Sequence, residues 1–442
     1  MIAFAEDAYD FDRALDRIQP LGPRDAGRTV DAPPGAAFPS SDYAARYARL
    51  RALMIAEGID AALFTQEENV QYFSGYLTVL WVSKFRPLVA VLPTDPGRPA
   101  KVVVSGQEVG NAAATSWVDE VVAFSPQVAP IPHIARAIAD AVGERARVGI
   151  ELGFGQRLGM NVRQFRELQD ALPGVEFVDI TPLAQTVRML KSTHEVSYLR
   201  EAARISTSAV EAGWEALRPG MTERDLITAI GAEMYRQGAE VTTSKQSFFG
   251  IMAGARRGLS NAVADDRTPL APGDLVLVDG GASYHGYVTD FIRQAVLSPV
   301  DDETLTWFDI ALEANRAAIA AVRPGVRASD VYDAAMRVFD HHGVLEHNGS
   351  TIVGHGIGAD VHELPWLGEA GVVFTSEVVL REGMVLSIEP ILSARTGPRP
   401  RGNFIVEEMV AVTTDGTELL TAGLSPELHV AAVPVVADAA RP

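Results

Sequence analysis

Asp279 closes an apolar run, Leu275-Val276-Leu277-Val278, and Asp290 closes the next short one, with Gly280-Gly281, Tyr284 and His285-Gly286 between them. The pattern predicts a β-hairpin with one acid on each arm. A turn centred on Tyr284-His285 sets Asp279 almost opposite Asp290, where facing side chains are about 4.5–5.5 Å apart. Two half-buried carboxylates that close repel each other and resist desolvation, so a cation belongs between them. Four further residues can join the constellation: His355 in Gly354-His355-Gly356-Ile357-Gly358, His362 in Asp360-Val361-His362-Glu363, Glu389 in Ile388-Glu389-Pro390, and Glu407 in Val406-Glu407-Glu408. Carboxylate oxygen with a minority of imidazole nitrogen suits divalent manganese, iron, cobalt or zinc. A set this rich in carboxylates can bridge two ions about 3.5–4 Å apart and serve attack on a carbonyl, with another group shuttling the proton.

Each residue has a plainer use when taken alone. Asp279 suits a turn before Gly-Gly, Asp290 can pair with Arg293, His355 can bond its own loop, and Glu389 can end a strand before proline. Glu407 and Glu408 must face opposite ways on one strand. The residues around them (Ile405 and Met409 against Val406 and Val410) are apolar on both faces, so alternation does not choose between them. Only the six together argue for a metal pair.

The elements that position these residues fall in two regions. At 442 residues the chain exceeds one ordinary core, and 47% hydrophobic with 21% charged residues is an ordinary globular composition. Residues 1–40, with Pro20, Pro23, Pro33, Pro34 and Pro39, are expected to form an irregular N-terminal arm. From 41 to 187 a helix ending at Gly58 is followed by strand candidates at Ile59–Phe64, Leu88–Leu92, Lys101–Val104, Val121–Phe124 and Val148–Ile150. Helical pieces at Ile134–Val142 and Arg163–Leu172 alternate with them, which predicts an α/β domain with a largely parallel sheet. Residues 188–430 form the second domain and 431–442 a tail. The net charge of −19 excludes the basic stripe of a nucleic-acid binder. No stretch reaches the roughly 20 apolar residues of a membrane span, and acids rather than bases open the chain, so a cytoplasmic protein is expected. Cysteine is absent, which removes disulfides, cysteine-ligated zinc and thiol catalysis.

The second region repeats itself. Arg218-Pro219-Gly220 with Asp225-Leu226 returns as Arg323-Pro324-Gly325 with Asp330-Val331, an offset of 105. Gly273 to Asp279 returns as Gly383 to Glu389, an offset of 110, and both copies end on an acid. A duplicated α+β unit with pseudo-twofold symmetry follows, with the site between the halves.

With these residues in view, the chain resembles the pita-bread metallopeptidase family of Xaa-Pro dipeptidases, aminopeptidase P, methionine aminopeptidase and creatinase. The resemblance rests on Asp279 with Asp290 eleven residues later, the His355-Gly356-Ile357-Gly358 and Asp360-Val361-His362-Glu363 stretches, Ile388-Glu389-Pro390, and a final glutamate before Asp415-Gly416. It covers residues 188–425. Arg49-Leu50-Arg51, Gly58-Ile59-Asp60-Ala61 and Glu68 to Tyr76 resemble the creatinase/prolidase-type N-terminal domain. The implied fold is an α+β pita-bread catalytic domain with a pseudo-twofold duplicated unit, preceded by a smaller α/β domain. The implied ligands of two divalent ions, manganese first among them, are Asp279, Asp290, His355, Glu389 and Glu407, with Asp290 and Glu407 bridging. The family pattern also selects Glu407 over Glu408. His362 is expected to stabilise the tetrahedral intermediate, and Glu389 to take and pass the proton after a metal-bridged hydroxide attacks the carbonyl of a C–N amide bond.

Two positions depart from the peptidase pattern. Asn261 stands where peptidases usually carry a histidine, and Ile405 where they commonly carry an arginine; both positions grip substrate, and neither binds metal. An Xaa-Pro dipeptidase-like hydrolase is the first expectation. A creatinase-like or ectoine-hydrolase-like member hydrolysing or lysing a small nitrogenous or osmolyte metabolite is the alternative, and an inactive binding module a distant one. The resemblance further implies a homodimer whose partner N-terminal domain roofs the site, with Trp81, Lys84, Phe85 and Arg86 as the contributing cluster.

Overall fold

The computed structural model describes residues 9–28, 30–83, 85–125, 130–143, 145–240, 248–257, 262–394 and 402–432. The chain divides into two units, Met1–Ser192 and Thr193–Pro442. In the first unit, strands β1 (Ala61–Phe64), β2 (Val89–Pro93), β3 (Lys101–Ser105), β4 (Glu120–Phe124), β5 (Ala146–Ile150) and β6 (Val175–Asp179) form one sheet in the order β4-β3-β2-β1-β5-β6. The pairs β3–β4, β1–β5 and β5–β6 are parallel, while β2 runs antiparallel to both neighbours. The expected largely parallel sheet is therefore a mixed one with a single inverted strand. Central strands β1, β2 and β3 are buried along their whole length, as strands covered on both faces must be.

The helices of this unit are α1 (Phe11–Ile18), α2 (Ser40–Glu57), α3 (Glu67–Ser74), α4 (Val109–Thr115), α5 (Ile131–Val142), α6 (Val162–Ala171) and α7 (Thr181–Met189). The expected irregular arm over residues 1–40 needs correcting. Phe11, Ala14, Leu15 and Ile18 recur at helical spacing, and α1 buries them against α2 and α7. The prolines that suggested an arm all come after this helix. The boundary read at 187/188 falls inside α7, and the division lies slightly further on, at Ser192/Thr193.

The second unit carries the duplication. Helices α8 (Thr193–Ala216) and α9 (Glu223–Arg236) form one pair, and α10 (Asp302–Ala321) and α11 (Ala328–His341) the other. The two linkers are built alike: Gly220 at φ 87° donates its N–H to the Leu270 carbonyl at 2.8 Å, and Gly325 at φ 88° donates to that of Leu380 at 2.9 Å. The strands are β7 (Phe248–Ala253), β8 (Leu275–Gly281), β9 (Ser283–Tyr284), β10 (Tyr287–Val288), β11 (Phe291–Leu297), β12 (Ile352–Gly356), β13 (Glu363–Gly368), β14 (Val385–Ile388), β15 (Ile391–Ala394), β16 (Gly402–Ile405), β17 (Glu408–Val412), β18 (Thr417–Leu419) and β19 (His429–Ala431). They form a sheet β19-β11-β8-β7, a sheet β13-β12-β14-β17-β18, and the small ribbons β9–β10 and β15–β16. In the first half, Val276, Val278, Phe291 and Ala295 point at Leu226 and Ile230 of α9 and Ile205, Ala209 and Val210 of α8 in one apolar core. Period-two alternation then turns Leu277, Asp279 and Ile292 to the other face. The C-terminal end of the chain, expected as a tail from 431, begins within β19, which pairs with β11 in parallel.

The predicted hairpin is present with a corrected register. Its two-residue turn is His285-Gly286, flanked by the pair Tyr284↔Tyr287, with φ 49° and 76°. Positive φ at both central positions is the type I′ geometry whose twist suits a hairpin, and it puts glycine second. Ile292 therefore stands opposite Asp279, and Asp290 is its diagonal neighbour on the same face. Gly281 allows the arms to close there, because a Cβ on it would lie 2.5 Å from the Thr289 carbonyl oxygen.

Candidate metal centre

Asp279 is on β8 and His355 on β12. Asp290, Glu389 and Glu407 sit one residue outside β11, β14 and β17, where the ladder opens. The strands deliver these five side chains to one place. His355 Nε2 lies 3.7 Å from Glu389 Oε1, 3.9 Å from Asp290 Oδ2 and 4.0 Å from Glu407 Oε1. Three trios have ligand atoms mutually within 4.8 Å: Asp290, His355 and His362; His355, Glu389 and Glu407; and Asp279, Asp290 and Glu407. Glu407 is shared by the last two, Asp290 by the first and third, and His355 by the first and second. The exposed His362 also approaches, its ring centroid 4.5 Å from that of His355, and it stacks on Trp366 at 5.5 Å.

The choice that alternation left open is made by burial on opposite sides. Glu408 turns away from the centre and takes two hydrogen bonds from Arg293 Nη2, at 2.9 and 3.0 Å. Arg293 Nη1 donates to the Glu407 backbone carbonyl at 2.9 Å, so the arginine read as a possible partner of Asp290 instead anchors the glutamate pair. Ser387 Oγ stands 2.6 Å from Glu407 Oε1 and 2.9 Å from the Asp290 carbonyl, tying the two halves together.

Electrostatics at this point call for cations. Burial, then the neighbouring Glu407 and Asp279, hold Asp290 well above the usual carboxylate range. Glu389 and Glu407 are raised for the same two reasons, burial first, and burial pushes Asp279 up to about 6. His355 is pushed down to about 3 by burial and by His362, which keeps it neutral. Its Nδ1 lies 2.9 Å from the Gly356 carbonyl, which only accepts, so Nδ1 carries the hydrogen and Nε2 offers its lone pair. That Nε2 and Asp290 Oδ1 are buried without a hydrogen-bond partner among the described residues. Crowded carboxylates, a bare imidazole nitrogen and an orphan carboxylate oxygen fit divalent cations, which would satisfy all three at once.

A pH dependence follows, with its sign. Each of the four carboxylates has a folded-state pKa above its unfolded value of about 4, so the metal-free folded chain holds more protons than the unfolded one. The stability contributed by these four is fullest below about pH 4 and is lost as pH rises through about 6 and beyond; His355, held neutral, contributes in the opposite sense, and the four carboxylates outnumber it. Melting of chelator-treated protein is expected at lower temperature at pH 7 than at pH 5. Added Mn2+ should restore more stability at pH 7, since binding displaces protons. A chelated protein that gains stability from pH 5 to 7 would contradict this protonation pattern.

Of the other sequence candidates, Asn261 and Lys84 lie outside the described residues. Trp81 and Arg86 are half-buried in the first unit, with Trp81 6.5 Å from the Tyr76 ring. Ile405 is 5% exposed and packs with Met252, Leu277 and Ile292. Sequence reasoning missed Ser387 and Trp366. Ser387 was detectable as the one polar residue of the apolar strand Val385-Leu386-Ser387-Ile388; Trp366 follows proline with no pattern that distinguishes it.

A carboxylate-rich cluster that fits divalent metal ions, built between the halves of a duplicated α+β unit, is the mark of a class of metal-dependent hydrolases. Residues 197–414 match the model of metallopeptidase family M24, and residues 46–190 that of the creatinase/prolidase N-terminal domain. The chain thus carries an M24 metallopeptidase domain behind a creatinase/prolidase N-terminal domain, and it is a metal-dependent hydrolase of that kind. It is 28% identical over 380 residues to the Xaa-Pro dipeptidase of Pyrococcus furiosus, 85% of this chain and 97% of that protein. It is 26% identical over 392 residues to the creatinase of a Bacillus species, 87% of this chain and 91% of that one. Among solved structures, the Xaa-Pro dipeptidase of Bacillus anthracis superposes with a TM-score of 0.75 at 25% identity, over 88% of this chain and 99% of that one.

Proposed function

We propose that the protein hydrolyses the C–N amide bond of Xaa-Pro dipeptides at a centre of two divalent ions, manganese first among the candidates. The observation that carries this reading is the pair of ligand trios sharing Glu407. Asp279 and Asp290 would hold one ion and His355 and Glu389 the other, with Glu407, and Asp290 beside it, between them. When bound, the ions supply Lewis-acid polarisation of the carbonyl and lower the pKa of the attacking water. A Glu389 carboxylate oxygen takes the proton released by that water and passes it to the leaving nitrogen. His362, fixed in place by its stacking on Trp366, donates a hydrogen bond to the oxyanion.

His362→Ala should lower kcat by roughly 100- to 1000-fold, the cost of removing one oxyanion donor, while Mn2+ content stays at the wild-type level. Loss of metal together with activity would reassign His362 to the ligand set.

One observation favours a second reading. Ile405 sits where related peptidases commonly carry an arginine that grips substrate, and it joins Met252, Leu277 and Ile292 in an apolar wall on the face that bears Asp279. A small nitrogenous metabolite that is held without that arginine would suit such a wall. Xaa-Pro dipeptides should be assayed beside creatine, ectoine and related amides, each with and without chelator. Chelator-sensitive cleavage of a dipeptide supports the first reading, and turnover of a metabolite alone replaces it.

The reading also takes the protein as a cytoplasmic homodimer. No helix among the described residues is long and apolar enough to cross a membrane. Val79 and Val82 are each 61% exposed and Phe85 88%, an apolar strip at spacing three, and the buried Trp81 Nε1 has no partner among the described residues. Sedimentation equilibrium of the wild type and of Phe85→Asp tests this: a dimer weakened by the substitution is expected, and a monomeric wild type rules it out.

A further inference from the structure

The hairpin that carries Glu389 and Glu407 keeps one register throughout but loses its ladder in the middle. Strands β14 and β17 pair as far as Ile388↔Glu408, and β15 and β16 resume at Ile391↔Ile405 in the same register. The gap holds Glu389 and Pro390 on one arm and Val406 and Glu407 on the other. Its backbone groups look elsewhere: Glu389 N–H donates to the Val353 carbonyl at 2.7 Å, Glu407 N–H points to that of Ile292 at 3.3 Å, and Pro390 has no N–H. Into this gap α10 inserts Asn315, which is 1% exposed. Its Nδ2 donates to the Ile388 carbonyl at 2.8 Å and to the Val406 carbonyl at 2.9 Å. These are the residues immediately before the two glutamates.

The first half is built similarly but less open, with a different side chain: one backbone bond survives in the interruption, from Thr289 N–H to the Ala282 carbonyl at 3.1 Å. The β8–β11 ladder ends at Gly280↔Phe291, and the β9–β10 ribbon resumes at Ser283↔Val288 in the same register. Here α8 supplies Ser206, whose Oγ accepts the Ala282 N–H at 2.8 Å and lies 2.7 Å from Thr289 Oγ1, beside Asp290. Ser206 is fully buried. By the offset of 105 it corresponds to Ala311, one turn before Asn315. In each half, then, the leading helix brings a polar side chain to the place beside the candidate metal carboxylates where the ladder is broken or thinned.

We propose that Asn315 is a positioning residue: its amide clamps the two carbonyls and wedges the hairpin open, so that Glu389 and Glu407 diverge enough to hold metal instead of lying as an ordinary cross-strand pair. A buried amide donating to two carbonyls that the sheet leaves unpaired fixes both main chains at once, and a hydrocarbon in its place would leave both acceptors buried and unmet. The proposal rests on the metal-centre reading and adds to it the source of the glutamates' geometry.

Asn315→Leu keeps the number and branching of the side-chain heavy atoms and removes both donors; Asn315→Asp keeps the shape and removes at least one. Each full-length variant is freed of metal by chelator, checked by circular dichroism, and titrated with Mn2+ by calorimetry; the visible absorption of the Co2+-loaded form reports coordination. Both variants should bind at least one Mn2+ about 10- to 100-fold more weakly than wild type, the usual cost of losing a residue that orients a ligand, with a changed Co2+ spectrum. A folded variant, Leu or Asp, that binds two Mn2+ with wild-type affinity and spectrum overturns the wedge, whatever its melting temperature. If the Leu variant does not fold, the Asp variant decides. A wild type that binds no Mn2+ overturns the metal centre itself, which separates the two failures.

Discussion

Glu407→Gln is expected to cost the protein most of its activity. Its carboxylate belongs to the trio with Asp279 and Asp290 and to the trio with His355 and Glu389, so replacing one oxygen by an amide would weaken metal binding in both. Loss of a merely supporting residue at a metal site costs about 10–100-fold, and the shared ligand should exceed that range. The fold should survive, because the charge removed is one that burial, Glu389 and Asp279 already disfavour. Elemental analysis for manganese, run beside the rate on whichever amide is cleaved, checks both parts. A variant that keeps two ions per chain and activity within about ten-fold of wild type would remove Glu407 from the shared position.

Arg293→Ala should have the largest effect on stability. Arg293 and Glu408 are 1% and 3% exposed at their side chains and meet at 2.9 Å. Removing one member strands the other charge in the core, at a cost of about 3–5 kcal/mol. Three backbone carbonyls lose a donor as well, those of Ile292, Glu407 and Leu424. The double variant Arg293→Met with Glu408→Gln should recover most of the loss, since a buried ion pair is often no better than neutral groups of similar volume. Urea unfolding of chelated protein reads this free of the metal contribution. A single variant within about 1 kcal/mol of wild type would show that Glu408 finds other support.

The centre was unusually legible because its residues end strands that are themselves duplicated. An acid after four apolar residues, repeated 110 positions later as Asp279 and Glu389, is a pattern in one dimension, and the structure keeps both. The elements were legible for the same reason, as with α2 stopping at Gly58. The turn was misplaced by one residue because hydrophobic pattern alone does not weigh the demand of a type I′ turn for positive φ, which His285-Gly286 meets. The helix α1 was hidden by the prolines behind it.

What the chain's own sequence determined is the kind of chemistry: which carboxylates and which imidazole are present, in what order, and on strands paired by a repeat. What only the tertiary structure decided is their direction. Glu407 and Glu408 are equivalent in composition and opposite in function, because β17 has two faces. Arg293 waits on one of them, and His355 and three other carboxylates on the other. Asn315 was an unremarked polar residue in a stripe of Phe308, Ala311, Leu312 and Ala318 until β14 and β17 parted around it. Hydrophobic periodicity records which face of an element is covered. What covers it is set by contacts between residues far apart in the chain, which one-dimensional spacing does not carry.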